Sequence, residues 1–514
     1  MLLGCLSYGR VAESATVKVP AGGDLQSALM TARAGDTIEL AAGAVFVGNF
    51  TLPAKMGGDA VITVQSSPHS NLPVEGGRVA PADAALLAKI RSPNNAPALQ
   101  TEPGAHHWRL QLLEFDAAPG GSGTIIALGD GSSAQASLAQ VPHNLIVDRC
   151  YIHGNPDAAQ RRGIALNSAS TSILGSYIAD MKAVGEEAQA INGWNGPGPF
   201  VITNNYLEGA GENILFGGGD PSIQGLVPSD VTITGNTLSR PISWRGKRWE
   251  IKNILELKNA RRVRIAGNLL ENNWAAAQAG FAVLFTVRNQ DGRCSWCQVE
   301  QVVFENNIVR HSAAAISILG RDDTNKSEQT RSIAIRNNLF ADIDNENWGG
   351  SGYFLLVTGA PRDVTVDHNT IIQEHASGII QVEGPPVLGF VFTNNLVRHN
   401  AYGIIGRDRA PGADTISAYF PASLITGNVI ADGDPRRYPG GNKFPSSAEF
   451  RSQFVAYDRG DFRLAAASPW NTADTDGVRL GANVTGLPSR AGGREDPPRP
   501  PPRRPEAAPI AASA

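Results

Sequence analysis

The stretch VRIAGNLLEN (263–272) sets an Asn between two short apolar runs, and the same pattern returns down the chain. The copies read VITNNYL (201–207), VTITGNTL (231–238), VVFENNIV (302–309), IAIRNNLF (333–340), VTVDHNTI (364–371), FVFTNNLV (390–397) and LITGNVI (424–430). Two earlier relatives, LIVDRCYI (145–152) and TSILGSYI (171–178), carry Cys150 and Ser176 where the Asn would stand. The key Asn positions are 205, 236, 268, 307, 338, 369, 395 and 428, with steps near thirty residues, a solenoid period. Each period holds about three strand-like runs, as in VRI (263–265), LL (269–270) and FAVLFTV (281–287). That is one triangular coil of a parallel β-helix.

A sharp corner between two strands needs a residue at positive φ, where Gly and Asn are penalised least. Stacking the coils sets each Asn above the last, so their amides can bond along the stack as Asn ladders do. Asn268 and its copies are therefore expected to be scaffold, holding the positive-φ corners, with Cys150 and Ser176 continuing the line. The step from 268 to 307 is the longest, and its excess lies in RNQDGRCSWC (288–297), a long loop of the kind that carries function.

A repeat array grows by stacking, so 514 residues can form one long body. With 42% hydrophobic residues, 18% charged and 56 Gly, the composition suits a turn-rich, strand-rich protein. A net charge of −4 points to neither nucleic acid nor an anionic membrane, so an acidic polymer would have to meet a local basic patch. No apolar run is long enough for a transmembrane helix. Four cysteines exclude a disulfide scaffold; Cys294 and Cys297 either close a small loop or stay free thiols, and no second Cys/His pair stands at zinc spacing.

Residues 1–16 read as a leader remnant or signal, with Cys5 in LLGC as a candidate lipidated residue, or as a plain start. In GGDLQSALMTARAGDTIEL (22–40), Asp24 is expected to cap an amphipathic helix running to Ala34 that covers the open end of the first coil. The β-helix is expected over 17–440, an irregular cover over 441–485, and a disordered Pro-rich tail over 486–514.

With this repeat and the AGDTIELAAGAVFVGNF opening (34–50), the chain resembles the right-handed parallel β-helix superfamily that includes pectate lyases, polygalacturonases and the chondroitinase B/alginate lyase family. The resemblance covers roughly 17–480. It implies an all-β right-handed solenoid, secreted, periplasmic or surface-attached and monomeric, that binds a glycan. The same fold serves unrelated reactions, so function rests on the site.

Alternation assigns the sides of the strands. In NILELKN (253–259), Leu255 and Leu257 are expected inward and Glu256 and Lys258 outward. One coil on, Phe281, Val283, Phe285 and Val287 point inward, and Thr286 and Arg288 outward. In AISILGRDD (315–323), Ile316 and Ile318 point inward and Ser317, Leu319 and Arg321 outward, with Asp322 and Asp323 in the turn; IIQVEG (379–384) adds Gln381 and Glu383. Lys258 and Arg288 both end strands and both precede an Asn, Asn259 and Asn289. This pair resembles that of the chondroitinase B/alginate lyase family, which implies Lys258 as the base that takes the proton beside a uronate carboxylate and Arg288 as the stabiliser of the developing charge. The resemblance leaves Ca2+ open as a cofactor, with no ligand set assigned: the places of the family's calcium-binding acids hold Ile251 and Asn253.

The expected substrate-binding set is Glu256, Asn289, Arg321, Asp322, Asp323, Glu383, Trp274 and Trp296, the two indoles as platforms for sugar rings. Trp194, Trp244, Trp249 and Trp348 share their inter-strand setting, and about half of the six are expected to cap the core instead. Other readings stay open. Glu256, Lys258 and Arg288 also fit an ion-pair network between coils, and Asp322 and Asp323 fit turn formers. The leading function is a lyase cleaving an acidic polysaccharide by β-elimination, followed by a non-catalytic carbohydrate-binding solenoid and then a glycoside hydrolase.

Overall fold

In the computed structural model, residues 14–56, 58–117, 123–472 and 475–487 are described. Strands that neighbour one another in a sheet lie three strands apart in the chain, because every turn visits three parallel sheets of 14, 12 and 13 strands. One coil runs through Ala260–Ala266, Leu269–Asn273 and Phe281–Thr286 before the next begins at Val299–Glu305. The fold is a parallel β-helix.

Registry explains why the interior is aliphatic. Val231, Val263, Val302, Ile333 and Val364 pair in one column, and Ile214, Leu255, Val283, Ile316, Leu355 and Ile380 in another. All of them are buried. β-branched and Leu side chains stack on their own kind across strands buried on their inner face.

The Asn ladder exists, with one correction. Asn205, Asn236, Asn268, Asn307, Asn338, Asn369, Asn395 and Asn428 are buried and bond in series. Asn268 Oδ1 accepts from Asn236 N (2.9 Å) and Asn236 Nδ2 (3.0 Å). Asn268 Nδ2 donates to Asn307 Oδ1 (3.0 Å) and Ile233 O (2.9 Å). From Asn236 to Asn428 each amide thus fills both of its acceptor and both of its donor positions. Ser176 Oγ accepts from Cys150 N at 3.0 Å and Asn205 Oδ1 from Ser176 N at 2.8 Å, so the expected early members join, and Asn442 extends the far end. The positive φ falls one residue earlier: on Asn204, Gly235, Gly267, Asn306, Asn337, His368, Asn394 and Gly427. Splitting the work leaves the ladder residue free to point inward while its predecessor makes the turn.

The front helix spans Leu25–Thr31, with Asp24 accepting from Ser27 N at 2.9 Å, and it buries Leu25, Ala28 and Leu29 in the main core. It ends short of Ala34 because Asp36 captures Arg33 N and Ala15 N, both at 2.8 Å. At the other end, the helix Ala413–Tyr419 sets Ile416 and Tyr419 into the same core. Beyond the stack, the helix Ser447–Ser452 and an antiparallel hairpin bring Phe450, Phe454, Tyr457 and Trp470 onto Leu339, Ile372, Leu396 and Val429, on the outer side of the 13-stranded sheet. Cys5 and residues 488–514 lie outside the described residues.

Candidate functional site

The outer face of the 12-stranded sheet carries the charge. Leu255 and Leu257 are in the core, and Glu256 between them faces the other way, as alternation requires. Facing out is not the same as being exposed, and Glu256 is buried. Its Oε1 accepts from Thr286 Oγ1 (2.9 Å) and its Oε2 from Asn253 Nδ2 (3.1 Å), with Lys258 Nζ 4.0 Å from Oε1. Glu256 is therefore a support beneath Lys258, not an exposed substrate contact.

Lys258 and Arg288 are backbone neighbours. Arg288 N donates to Lys258 O at 2.9 Å, which sets the two cationic side chains on adjacent coils. Their partners differ. Arg288 Nη1 bonds Asp322 Oδ1 at 3.0 Å and also meets Asp323. Asp322 further accepts from Asn289 N (2.7 Å) and Thr324 N (3.0 Å); burial opposes its charge, but these donors and Arg288 hold its carboxyl below the usual range. Asp322 and Asp323 thus orient Arg288. Asn289 is buried, bonding Lys326 O and Cys294 N at 2.8 Å each, so it braces the loop and is corrected from a substrate contact.

Other expected members lie elsewhere. Trp274 is 3% exposed, packed with Trp244, Trp348 and Ile251, which corrects its reading as a sugar platform. Trp296 is half-buried against the core, with its indole N–H on Leu226 O at 3.0 Å. Glu383 lies three strands beyond the one that precedes Arg288, bonded to Gln381 (2.8 Å) and Arg407 (3.2 Å). Arg321 is exposed and lines a cleft of about 340 Å³ with Arg331, Arg362 and Gln298. Leu319, expected outward, is buried.

Sequence reasoning missed an acidic cluster beside Lys258. Glu212 opens the strand Glu212–Phe216, pairs in register with Gln189 and accepts from Gln189 Nε2 at 3.0 Å. Lys252 bridges Glu187, in direct contact, and Glu212 Oε1 at 3.5 Å. Arg162 Nη2 donates to Gln189 Oε1 at 3.2 Å, and its guanidinium lies 5.3 Å over the Trp194 ring. Burial, then Glu187 and Glu256, push Glu212 up to about 7. Burial also opposes charge on Glu187, but Lys258 and Lys252 outweigh it and hold that carboxyl low. Lys252 goes the other way from an ordinary buried lysine: burial disfavours its ammonium, yet Glu212 and Glu187 raise its pKa.

The residues present do not fit a calcium ion. Ile251 is apolar and buried with the tryptophans, and the carboxylates already face two lysines. Elsewhere Asp220, Cys294 and Cys297 converge, but the two sulfurs form a disulfide.

No family model matches the chain, and no curated protein matches it. Solved structures do. The PL6 family alginate lyase AlyGC aligns at 14% identity and a TM-score of 0.52, over 84% of this chain and 53% of that one. A mannuronic acid specific polysaccharide family 6 lyase from human gut microbiota aligns at 12% identity and a TM-score of 0.50, over 85% of this chain and 93% of that one. The catalytic unit of a GH87 α-1,3-glucanase from Streptomyces thermodiastaticus strain HF3-3 gives 14% and 0.53, over 85% and 71%. What they share is the fold. This chain spans about half the length of AlyGC, 53%. Among the described residues no helix is long and apolar enough to cross a membrane.

Proposed function

We propose that the chain is a polysaccharide lyase that cleaves a uronate-containing polymer by β-elimination on the outer face of the 12-stranded sheet. The observation that carries this reading is the Arg288 N to Lys258 O hydrogen bond of 2.9 Å, which stacks the two residues on adjacent coils, Lys258 near the buried Glu256 and Arg288 on Asp322. In the reaction Lys258, once its ammonium has given a proton to water, takes the proton from the carbon beside the uronate carboxylate. The electron pair forms a carbon–carbon double bond as the glycosidic carbon–oxygen bond breaks, the leaving oxygen takes a proton from water, and Lys258 returns the proton it took to the resulting hydroxide. Arg288 stabilises the charge that gathers on the substrate carboxylate, where a preorganised cation is worth most. The disulfide Cys294–Cys297 supports an oxidising, extracytoplasmic setting.

A binding module without catalysis is the second reading, favoured by the acidic partners that Lys258 and Arg288 already have. A panel of alginate, pectate and glycosaminoglycan polymers separates the two. β-Elimination makes an unsaturated, ultraviolet-absorbing end group; hydrolysis makes reducing ends without that absorbance; a binding module makes neither. No absorbing product from any polymer, with measurable binding by the folded protein, contradicts the lyase reading.

A further inference from the structure

The acidic cluster beside Lys258 carries its own counter-cation, delivered by a segment built to hold it. Lys252 lies between Ile251, packed among tryptophans, and Asn253, bonded to Glu256. Its backbone is pinned on both sides: Lys252 N donates to Ala210 O (3.2 Å) and Asn253 N to Gly211 O (3.0 Å). Arg240, fully buried, clamps the same place by donating to Gly209 O (2.8 Å), Gly211 O (2.9 Å) and Asn253 O. A lysine anchored in this way, 8% exposed, is not a mobile surface residue.

What the ammonium meets is informative. Glu212 Oε1 is buried with no hydrogen bond and has Lys252 as its ion-pair partner, while Asn253 Oδ1 is buried and also lacks a hydrogen bond. Glu187, Glu212 and Glu256 lie in the field of Lys252 and Lys258, and Glu187 and Glu212 in that of Arg162 as well. A divalent ion added to this set would have to expel Lys252 or leave buried positive charge uncompensated, which is costly.

We propose that the Lys252 ammonium does the work of a resident divalent cation, neutralising and positioning the carboxylates beside Lys258, so that the groove is complete without metal. Lys252 is thus a positioning residue for the proposed reaction. Its catalytic meaning rests on the lyase reading, but its electrostatic content does not. Without the lysine side chain, the carboxylates of Glu187 and Glu212 would be left facing the gap, with the charge of Glu256 acting on it, and such hard oxygen donors are what Ca2+ takes.

The test reads thermal unfolding, not turnover, so it stands apart from the fate of the lyase reading. The wild-type chain and Lys252→Ala, Lys252→Gln and Lys252→Arg are melted in EDTA, in CaCl2 and in MgCl2. Wild type and Lys252→Arg are expected to melt alike in all three. Lys252→Ala and Lys252→Gln are expected to melt lower in EDTA and to gain at least about 2 °C in CaCl2. A Glu212→Gln change added to Lys252→Ala is expected to abolish the gain, which ties the ion to this place. Calcium-dependent melting of the wild type overturns the proposal, and so does a folded Lys252→Ala chain indifferent to Ca2+. If Lys252→Ala does not fold in EDTA, refolding in CaCl2 decides the matter: recovery supports the proposal and failure overturns it.

Discussion

Asn307 is held from both sides: its Oδ1 accepts from Asn268 N (2.9 Å) and Nδ2 (3.0 Å), and its Nδ2 donates to Asn338 Oδ1 (3.1 Å) and Ile265 O (2.9 Å). Asn307→Val strands several buried polar groups and should cost about 3 kcal/mol in chemical denaturation. The neighbouring φ tells a different story. Gly267, at φ +64 with no atom within 4 Å of an added Cβ, should accept Asn almost neutrally, whereas Gly267→Val should cost about 1–2 kcal/mol through backbone strain alone. Equal losses for Gly267→Asn and Asn307→Val would contradict this division of labour. The recurrence of Asn at one repeat position was legible in the sequence, but which of two adjacent residues takes the left-handed conformation was not, because Asn-Asn, Gly-Asn and His-Asn pairs fill the corner. A second residue-scale test uses Glu208, whose carboxyl is pushed from 4.5 to about 7 by burial, against the Tyr206 hydroxyl that donates to it at 2.9 Å. The folded chain keeps this proton where the unfolded chain releases it. Its stabilising effect is therefore fully present below about 4.5 and is lost as pH rises through about 7. Glu208→Gln should flatten the fall in stability between those values; an unchanged slope in melting temperature against pH would remove the assignment.

Strands were read more faithfully than the segments between them. Alternation placed Leu255, Val283 and Ile316 inside and Lys258 and Arg288 outside, because a period of two leaves no freedom once one face is buried. Glu256 shows its limit: direction follows from alternation, but exposure depends on what neighbouring coils lay on top, here Thr286 and Asn253. The acidic cluster was not legible because its members meet across connections. Lys252 and Glu187 stand 65 residues apart, and their contact depends on how the excursion after Thr237–Ser239 folds back over the sheet. That same excursion holds Trp244 and Trp249 and closes over Trp274. Trp274→Ala should therefore lower stability by about 3–5 kcal/mol, as a large buried aromatic does. Glycan affinity of the folded fraction should stay near wild type; a selective loss of affinity with unchanged melting would restore Trp274 as a platform.

At the scale of the whole molecule, the stack does two things at once. Its interior columns run the length of the β-helix, the Asn ladder runs from Asn205 to Asn428, and its outer face gathers charges from sequence-distant coils onto one surface. The C-terminal helix and hairpin pack on the outer side of the 13-stranded sheet and leave the Lys258 face to the 12-stranded sheet. The fold could be read from repeat spacing because each coil restates the same local problem, whereas the chemistry sits in single, unrepeated residues. The most direct test of the account is the turnover of Lys258→Ala on the best uronate substrate, measured beside its melting temperature and its affinity for that glycan. The account predicts a rate lower by roughly 10²–10⁴-fold in a chain that stays folded at the assay temperature and keeps its glycan affinity, since the amine acts chiefly in the transition state. A Lys258→Ala chain that releases unsaturated product at the wild-type rate would contradict it.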